Sequence, residues 1–558
     1  MKPCLKISDN SKITVLTNPK RHVHALRQLK HYLPNCQLQT IDIKENSTVK
    51  NDGALKIWLI DSSSEVIPPL ATSQEISQLT EGGFILRSNS LRENPEILIA
   101  GGDLAGTIYA VNELGLNHIK PGDKTLHIPV LDIAQTPALP HRFFWTWDHS
   151  TNWHLNQNGL QEIGFANPYM KPADGYLKDY CKLIDFMSLH RLNGITIYGF
   201  LRDSHGGIEA AQELCRYAKE RGVRILPGVG INCYGGIYWE GGHKYNLSTW
   251  LKKHPELRAQ FNQPKEFTLP EFAKLHLHET SYLDAACPSK PQNIDYHVEA
   301  IQWLTETFEI GGINFETGDY GTCQCAECSA RRSTDAQWSL KDMADVYPRL
   351  FAAARNIRPD LWLVCEAYWD NMLDLKALAP LAELPNDAIY QFCINRSYWK
   401  KLKTELSHEH VKSLPRSTNI VRTHMGSQWQ HERYELVAPQ FADMMSLSRT
   451  TGLRGANIFG EASAFNTVNE INYMAFARFA YDANLTWPEF VNKDLSALLG
   501  GAEAAKLYLE LLTVENSKTK LQRAIEEARE AANGQTGQIH QRWTWLQNRL
   551  YQKLDSAV

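Results

Sequence analysis

From Arg142 onward one pattern recurs along the chain: a short, almost wholly apolar run ending on polar residues, then a longer stretch whose apolar positions return every three or four residues. Short apolar runs read as strands buried on both faces, and the longer pattern reads as amphipathic helices. The runs fall at Arg142–Trp147, Gly194–Phe200, Val223–Ile231, Gly312–Glu316, Trp362–Ala367, Ala388–Ile394, Asn419–His424 and Ala456–Gly460. Helical stretches between them include Leu177–His190, Ile208–Arg221, Tyr296–Phe308, Leu340–Asn356 and Leu436–Ser448. This alternation predicts a closed (β/α)8 TIM barrel over residues 136–485, with a long insertion at 232–295 between its third and fourth strands.

The flanking segments differ. Residues 1–135 carry shorter β-rich runs at Ile13–Leu16, Leu55–Asp61, Gly83–Arg87 and Ile97–Ala100, with a helix around His22–Tyr32, and predict a small α/β domain. Within it GGDLAGTIYAVNELGL, residues 101–116, turns at a glycine pair into a helix striped by Ile108, Val111 and Leu114. Glycine-rich loops ahead of helices also cradle phosphate, but neither a complete GxGxxG nor a GKT pattern is present, so nucleotide binding is not expected. Residues 486–558, rich in Ala, Glu, Lys and Leu, predict a helical C-terminal region packed on the barrel, with a solvated tail as the alternative.

Composition narrows the partners. The 558 residues are 43% hydrophobic and 22% charged with a net charge of −4, a globular composition that excludes collagen, coiled coil and disorder. No basic block is present, so neither nucleic acid nor an anionic membrane surface is an expected partner. No apolar run reaches the ~20 residues of a membrane span, and the opening MKPCLKISDNS lacks the apolar stretch of a secretory signal. The 11 cysteines at irregular spacing read as reduced thiols, and together these features predict a cytoplasmic location.

A TIM barrel builds its active site at the C-terminal ends of its strands, so the polar residues that close each run are the candidates. The first run closes on Trp147, Asp148 and His149, the second on Arg202, Asp203 and His205, and the third on Asn232, with Trp239 inside the insertion. The fourth gives Glu316, Asp319 and Tyr320; the fifth gives Glu366, Tyr368, Trp369 and Asp370; the last three give Arg396, then His424 and Trp429, then Glu461. Plainer readings stand beside these. Trp145 and Trp147 share a face and plug a barrel as readily as they stack on a sugar; Asp148 and Asp203 suit helix N-caps. Arg396 suits a surface ion pair as well as a carboxylate clamp, and His424 suits a satisfied core position. Glu316, Glu366 and Glu461 are harder to explain structurally, because an unpaired buried charge after an apolar strand costs several kcal/mol.

Glycoside cleavage needs a carboxyl pair, one protonating the leaving oxygen and one attacking or activating water. Glu316 or Asp319 on one strand and Glu366 or Asp370 on the next offer such a pair. Directly after the fourth-strand acids comes C-x-C-x-x-C, Cys323, Cys325 and Cys328; with Cys287 from AACPS as a guessed fourth ligand these suit a structural zinc, and reduced free thiols are the equal alternative. The insertion segment NCYGGIYWEGGHKYN reads as a lid or rim, or as a contact to a second copy of the chain in a homodimer.

The segment GGDLAGTIYAVNELGL resembles the end of the small domain that precedes the barrel in family 67 α-glucuronidases and family 20 β-N-acetylhexosaminidases. EINYMAFARFAYDANLTWPEFV, residues 470–491, is similar to the last barrel helix of α-glucuronidase-like proteins, and related bacterial families include members with C-x-C-x-x-C after the fourth strand. The resemblance implies a small α/β domain, a barrel and a helical tail, a general acid at Glu316 with Asp319 as its rival, and a base at Glu366. It departs from family 20 at GINFETGDYG, which lacks that family's adjacent Asp-Glu pair, and so does not imply its substrate-assisted chemistry.

The expected function is an exo-acting glycoside hydrolase on oligosaccharides, uronate-bearing ones included, with no cofactor for catalysis. Two alternatives remain at this level. One is a uronate lyase, in which His424 or Tyr368 removes the α-proton while Arg202 or Arg396 neutralises the carboxylate; the other is a non-catalytic carbohydrate-binding barrel.

Overall fold

The structure, a computed structural model, describes residues 4–44, 54–89, 95–148, 173–233, 235–260, 285–316, 323–332, 340–366, 371–416, 418–426, 434–459 and 466–557. The N-terminal region holds β1 (Cys4–Ser8), β2 (Lys12–Thr17), β3 (Gln37–Asp42), β4 (Leu55–Asp61), β5 (Phe84–Ser88), β6 (Glu96–Gly101), β7 (Lys120–Gly122), β8 (Thr125–Pro129) and β9 (Asp132–Gln135). Six strands form one sheet in the order β3-β2-β4-β6-β5-β9, and β1, β8 and β7 form a second, smaller one. The central strands are apolar on both faces, and separate clusters around Ile57 and Trp58 fill the two sides. The polar edge strand β3 (QLQTID) and the exposed β7 (KPG) lacked a hydrophobic pattern to announce them.

Close packing accounts for the glycine-rich loop at 101–106. Asp103 caps the helix Leu104–Glu113 by accepting from the Gly106 amide at 2.8 Å, and it also accepts from the Gly82 amide. A Cβ at Gly101 would stand 2.2 Å from the Thr107 nitrogen, and one at Gly106 2.2 Å from the Gly83 oxygen, so the sequence is small here because helix and sheet touch.

Eight parallel strands close the barrel: β10 (His141–Trp147), β11 (Gly194–Tyr198), β12 (Arg224–Gly230), β13 (Gly312–Glu316), β14 (Trp362–Glu366), β15 (Ile389–Ile394), β16 (Thr418–Thr423) and β17 (Gly455–Phe459). Helices such as Ala173–Leu189, Gly207–Glu220, Pro291–Thr307, Leu340–Ile357 and Ala438–Thr451 run between them. The TIM-barrel architecture, with a small sheet domain before it and a helical region after it, is therefore the fold. The C-terminal helices Ala502–Leu512, Lys518–Ala532 and Gly537–Asp555 bury Tyr508, Leu521 and Trp543 in the same core as the barrel helices. Among the described residues no helix is long and apolar enough to cross a membrane.

The N-terminal domain seats on the strand-start end of the barrel. The Tyr481 hydroxyl donates to the Gly82 carbonyl at 2.9 Å, Arg191 pairs with Glu113 at 2.5 Å, and Arg224 pairs with Glu81 at 3.0 Å. That leaves the strand-end mouth, where chemistry is expected, on the opposite side.

Candidate active site at the barrel mouth

Alternation along each strand sorts its side chains. Ile313, Phe315, Leu363 and Cys365 face the surrounding helices, so Asn314, Glu316, Val364 and Glu366 face the barrel axis. At the strand starts the axis is filled by Phe143, Leu226, Val364, Ile389 and Ile420, with Trp362 against them. Toward the mouth Trp145, Trp147, Tyr198, Cys233, Trp239 and Phe459 form an aromatic cluster.

A polar network threads between these two plugs. One oxygen of Glu366, Oε1, accepts from Trp145 Nε1 at 3.2 Å, the Tyr198 hydroxyl at 3.1 Å and Asn314 Nδ2 at 3.1 Å. The other, Oε2, accepts from Gln391 Nε2 at 2.7 Å and faces Arg422 Nε at 3.3 Å, with the Cys393 thiol 3.8 Å away. Asn457 donates to Gln391 at 2.7 Å, and the Arg422 guanidinium lies 4.5 Å over the Trp145 ring. Glu366 and Arg422 are both fully buried. Such an ion pair persists only with its remaining hydrogen bonds made, and this network makes them for the carboxylate.

Glu316 stands beside Glu366. The two are register partners at the ends of β13 and β14, so their side chains leave the sheet on the same face about 4.8 Å apart at the backbone. Glu316 is also fully buried, and its carbonyl accepts from the Ile231 amide at 2.9 Å.

A second charged cluster sits at the ends of β10 and β11. Buried Asp148 accepts from Arg202 Nε at 2.7 Å and faces His205 Nε2 at 3.3 Å; Arg202 also faces Glu240 at 3.7 Å and lies 5.4 Å over Trp239. Asp203 accepts from the Tyr238 hydroxyl at 2.5 Å. Gly199, at φ +79°, leaves room for Asp148, since a Cβ there would be 2.3 Å from its carboxyl carbon. Asp148 is thus tied to Arg202 and His205, and Asp203 to Tyr238 of the insertion.

The other predicted residues separate. Trp147 and Trp239 are buried edge to face at 5.5 Å, and the Trp239 indole donates to the Gly228 carbonyl at 3.1 Å. The His424 ring lies 4.4 Å from Phe459, and burial together with the Arg422 charge holds its pKa well below the ordinary value, which favours a neutral imidazole. Asn232 uses its carbonyl to accept from Ala286, fixing the return of the insertion. Arg396 is displaced from the axis: it opens the helix Arg396–Glu405, is partly exposed and pairs with Glu435 at 2.6 Å, the surface ion pair that was its plainer reading. His149, Asp319, Tyr320, Tyr368, Trp369, Asp370, Trp429 and Glu461 lie outside the described residues.

Cys287, Cys323, Cys325 and Cys328 come together beside the mouth as a buried four-thiol cluster, with all four Sγ atoms within 4.8 Å of one another. The residues that inspection of strand ends missed are Tyr198, Asn314, Gln391, Arg422 and Asn457. Their signal was present, since each is a polar or phenolic side chain inside or closing an apolar strand, at positions of one facing parity.

No family model and no curated protein sequence matches the chain. Its fold does match solved structures. A β-N-acetylhexosaminidase from Bacteroides fragilis aligns over 92% of this chain and 94% of its own, with TM-score 0.53 and 13% identity. An enzyme of glycoside hydrolase family 138 targeting pectin rhamnogalacturonan II aligns over 98% of this chain and 69% of its own, with TM-score 0.56 and 10% identity. The N-acetyl-β-hexosaminidase of Streptomyces plicatus aligns over 91% and 93%, with TM-score 0.50 and 12% identity. The shared property at this identity is the fold.

Proposed function

We propose that the chain is an exo-acting glycoside hydrolase that cleaves a terminal sugar from an oligosaccharide at the barrel mouth. The observation that carries this reading is Glu316, a buried carboxyl at the end of β13 beside the charged network of Glu366, at the end where barrels do chemistry. Glu316 is assigned the general acid that protonates the departing oxygen. Glu366, whose two oxygens already accept a full set of donors, is assigned the counter-charge beneath the sugar and the positioning of Trp145, Tyr198 and Arg422, instead of the base role first expected for it. The water-activating or attacking carboxylate is then sought among Asp319, Asp370 and Glu461, which follow β13, β14 and β17 in the sequence.

The names of similarly folded proteins favour a glycan substrate, and the missing Asp-Glu pair disfavours acetamido assistance. A uronate substrate finds less support: Arg396 is committed to Glu435 and Arg202 to Asp148, so a neutral sugar is the favoured class. No cofactor enters this chemistry, and the four-thiol cluster is given a structural part. The test is a panel of aryl glycosides and oligosaccharides assayed for reducing ends and for an unsaturated, ultraviolet-absorbing product. Turnover lost in Glu316→Gln supports the hydrolase. An unsaturated product would move the reading to elimination, and sugar binding without turnover would move it to a binding protein.

A further inference from the structure

We infer that Cys287, Cys323, Cys325 and Cys328 bind one zinc ion as a tetrathiolate, and that this ion fastens the end of the insertion to the segment following Glu316. Four thiolates at the usual Zn–S length of about 2.3 Å stand about 3.8 Å apart along the edges of a tetrahedron. Cys287 Sγ is 3.7 Å from both Cys325 Sγ and Cys328 Sγ, and no pair in the cluster exceeds 4.8 Å. The all-sulfur donor set selects a soft, tetrahedral ion over magnesium or calcium.

The surroundings are those of a charged centre. The Gln260 amide donates to Cys323 Sγ at 3.3 Å and the Cys328 amide to Cys325 Sγ at 3.5 Å. The Ser289 hydroxyl is 2.8 Å from Cys328 Sγ, and Arg331 reaches the same sulfur at 3.9 Å. Four thiolates around a dication leave a net double negative charge, and these amide, hydroxyl and guanidinium donors meet it. Cys325 also caps the helix Ala326–Arg331, its sulfur accepting from the Cys328 amide.

The segments brought together are distant in the chain. Ala286 donates to Asn232, Ala259 to Ala285 and Gln324 to Gln260, so backbone hydrogen bonds knit the insertion to the loop after β13 around the cluster. An ion here makes that arrangement conditional on metal, a few residues along the chain from Glu316.

The intact chain, produced with zinc chloride and dialysed free of loose metal, is expected to retain about one zinc per molecule by mass spectrometry of the digested protein. An organomercurial is expected to release it to a metallochromic dye, and cobalt refilling should give a thiolate-to-cobalt charge-transfer band with the strong d–d bands of a tetrahedral site. Cys325→Ser should lose the metal while Cys215→Ser, at a buried helix cysteine remote from the cluster, keeps it. If Cys325→Ser does not fold, native thiol titration decides, because the four cluster thiols should resist Ellman's reagent until a chelator is added. Folded wild-type protein without bound zinc, with those thiols freely reactive or paired as disulfides, would overturn the inference, as would stoichiometric iron in place of zinc.

Discussion

Two neighbouring layers of the barrel interior are built on opposite principles. At the strand starts the axis holds Phe143, Leu226, Val364, Ile389 and Ile420, which ask only to be kept from water. One layer further along, Glu366, Arg422, Gln391, Asn314 and Asn457 occupy equivalent inward positions and are tied to one another by directional bonds. The first layer tolerates any apolar group of similar volume, whereas the second loses a whole set of partners when one member changes. A buried ion pair is weak evidence for stability; what this one does visibly is hold Trp145 and Tyr198, two members of the aromatic cluster toward the mouth, through the Glu366 carboxylate.

Breaking the polar layer at its centre should have the largest effect. Glu366→Gln is expected to lower kcat by about 10²–10³ with KM changing much less, since the side-chain shape is preserved while the charge is lost. Steady-state kinetics on any substrate the panel identifies will show whether kcat or KM moves. Next comes Arg422→Met, which leaves Glu366 buried without its counter-charge and should cost about 3–5 kcal/mol of stability by denaturant unfolding. The double variant with Glu366→Gln should recover part of that loss, and strict additivity would deny that the two form one unit.

In the apolar layer, Leu226→Ala should cost about 2–5 kcal/mol through its cavity while leaving the kcat of the folded fraction unchanged. A fall in kcat there as large as for Glu366→Gln would erase the distinction between the layers.

The smallest effect concerns acid. His297 is buried in the helix Pro291–Thr307, and burial pushes its pKa down from 6.5 to about 3. The unfolded chain takes up this proton below about pH 6.5 and the folded one does not until about pH 3, so stability falls as the pH drops through that window. Between pH 6.5 and 5 the loss is about 2 kcal/mol. His297→Phe should flatten this part of the stability profile, and an unchanged slope would show that the ring is solvated in the folded protein.

Much of this was legible in the sequence. The eight strands announced themselves because a barrel strand is apolar on both faces, and the helices because theirs is not. Cys287 was joined to C-x-C-x-x-C as a guessed fourth ligand, on donor chemistry and its expected place near the same barrel end, and the structure brings the four sulfurs together. Less was legible where a residue's role depends on its partner. Arg396 and Arg202 look alike at strand ends, yet one is a surface pair and the other lies beneath the insertion against Asp148. The base role expected for Glu366 came from the resemblance to family 67; the donors around its carboxylate arrive from β10, β11, β13, β15 and β16, and no local spacing encodes that convergence.

Glu316 is assigned the delivery of a proton to a departing glycosidic oxygen. That role is tested most directly by comparing wild type and Glu316→Gln on two glycosides of one sugar, one with a poor leaving group and one with a leaving group acidic enough to depart unprotonated. A general acid at Glu316 gives a fall of about 10²–10⁴ in kcat/KM on the first and a far smaller one on the second. Equal losses on both, or none on either, would contradict it.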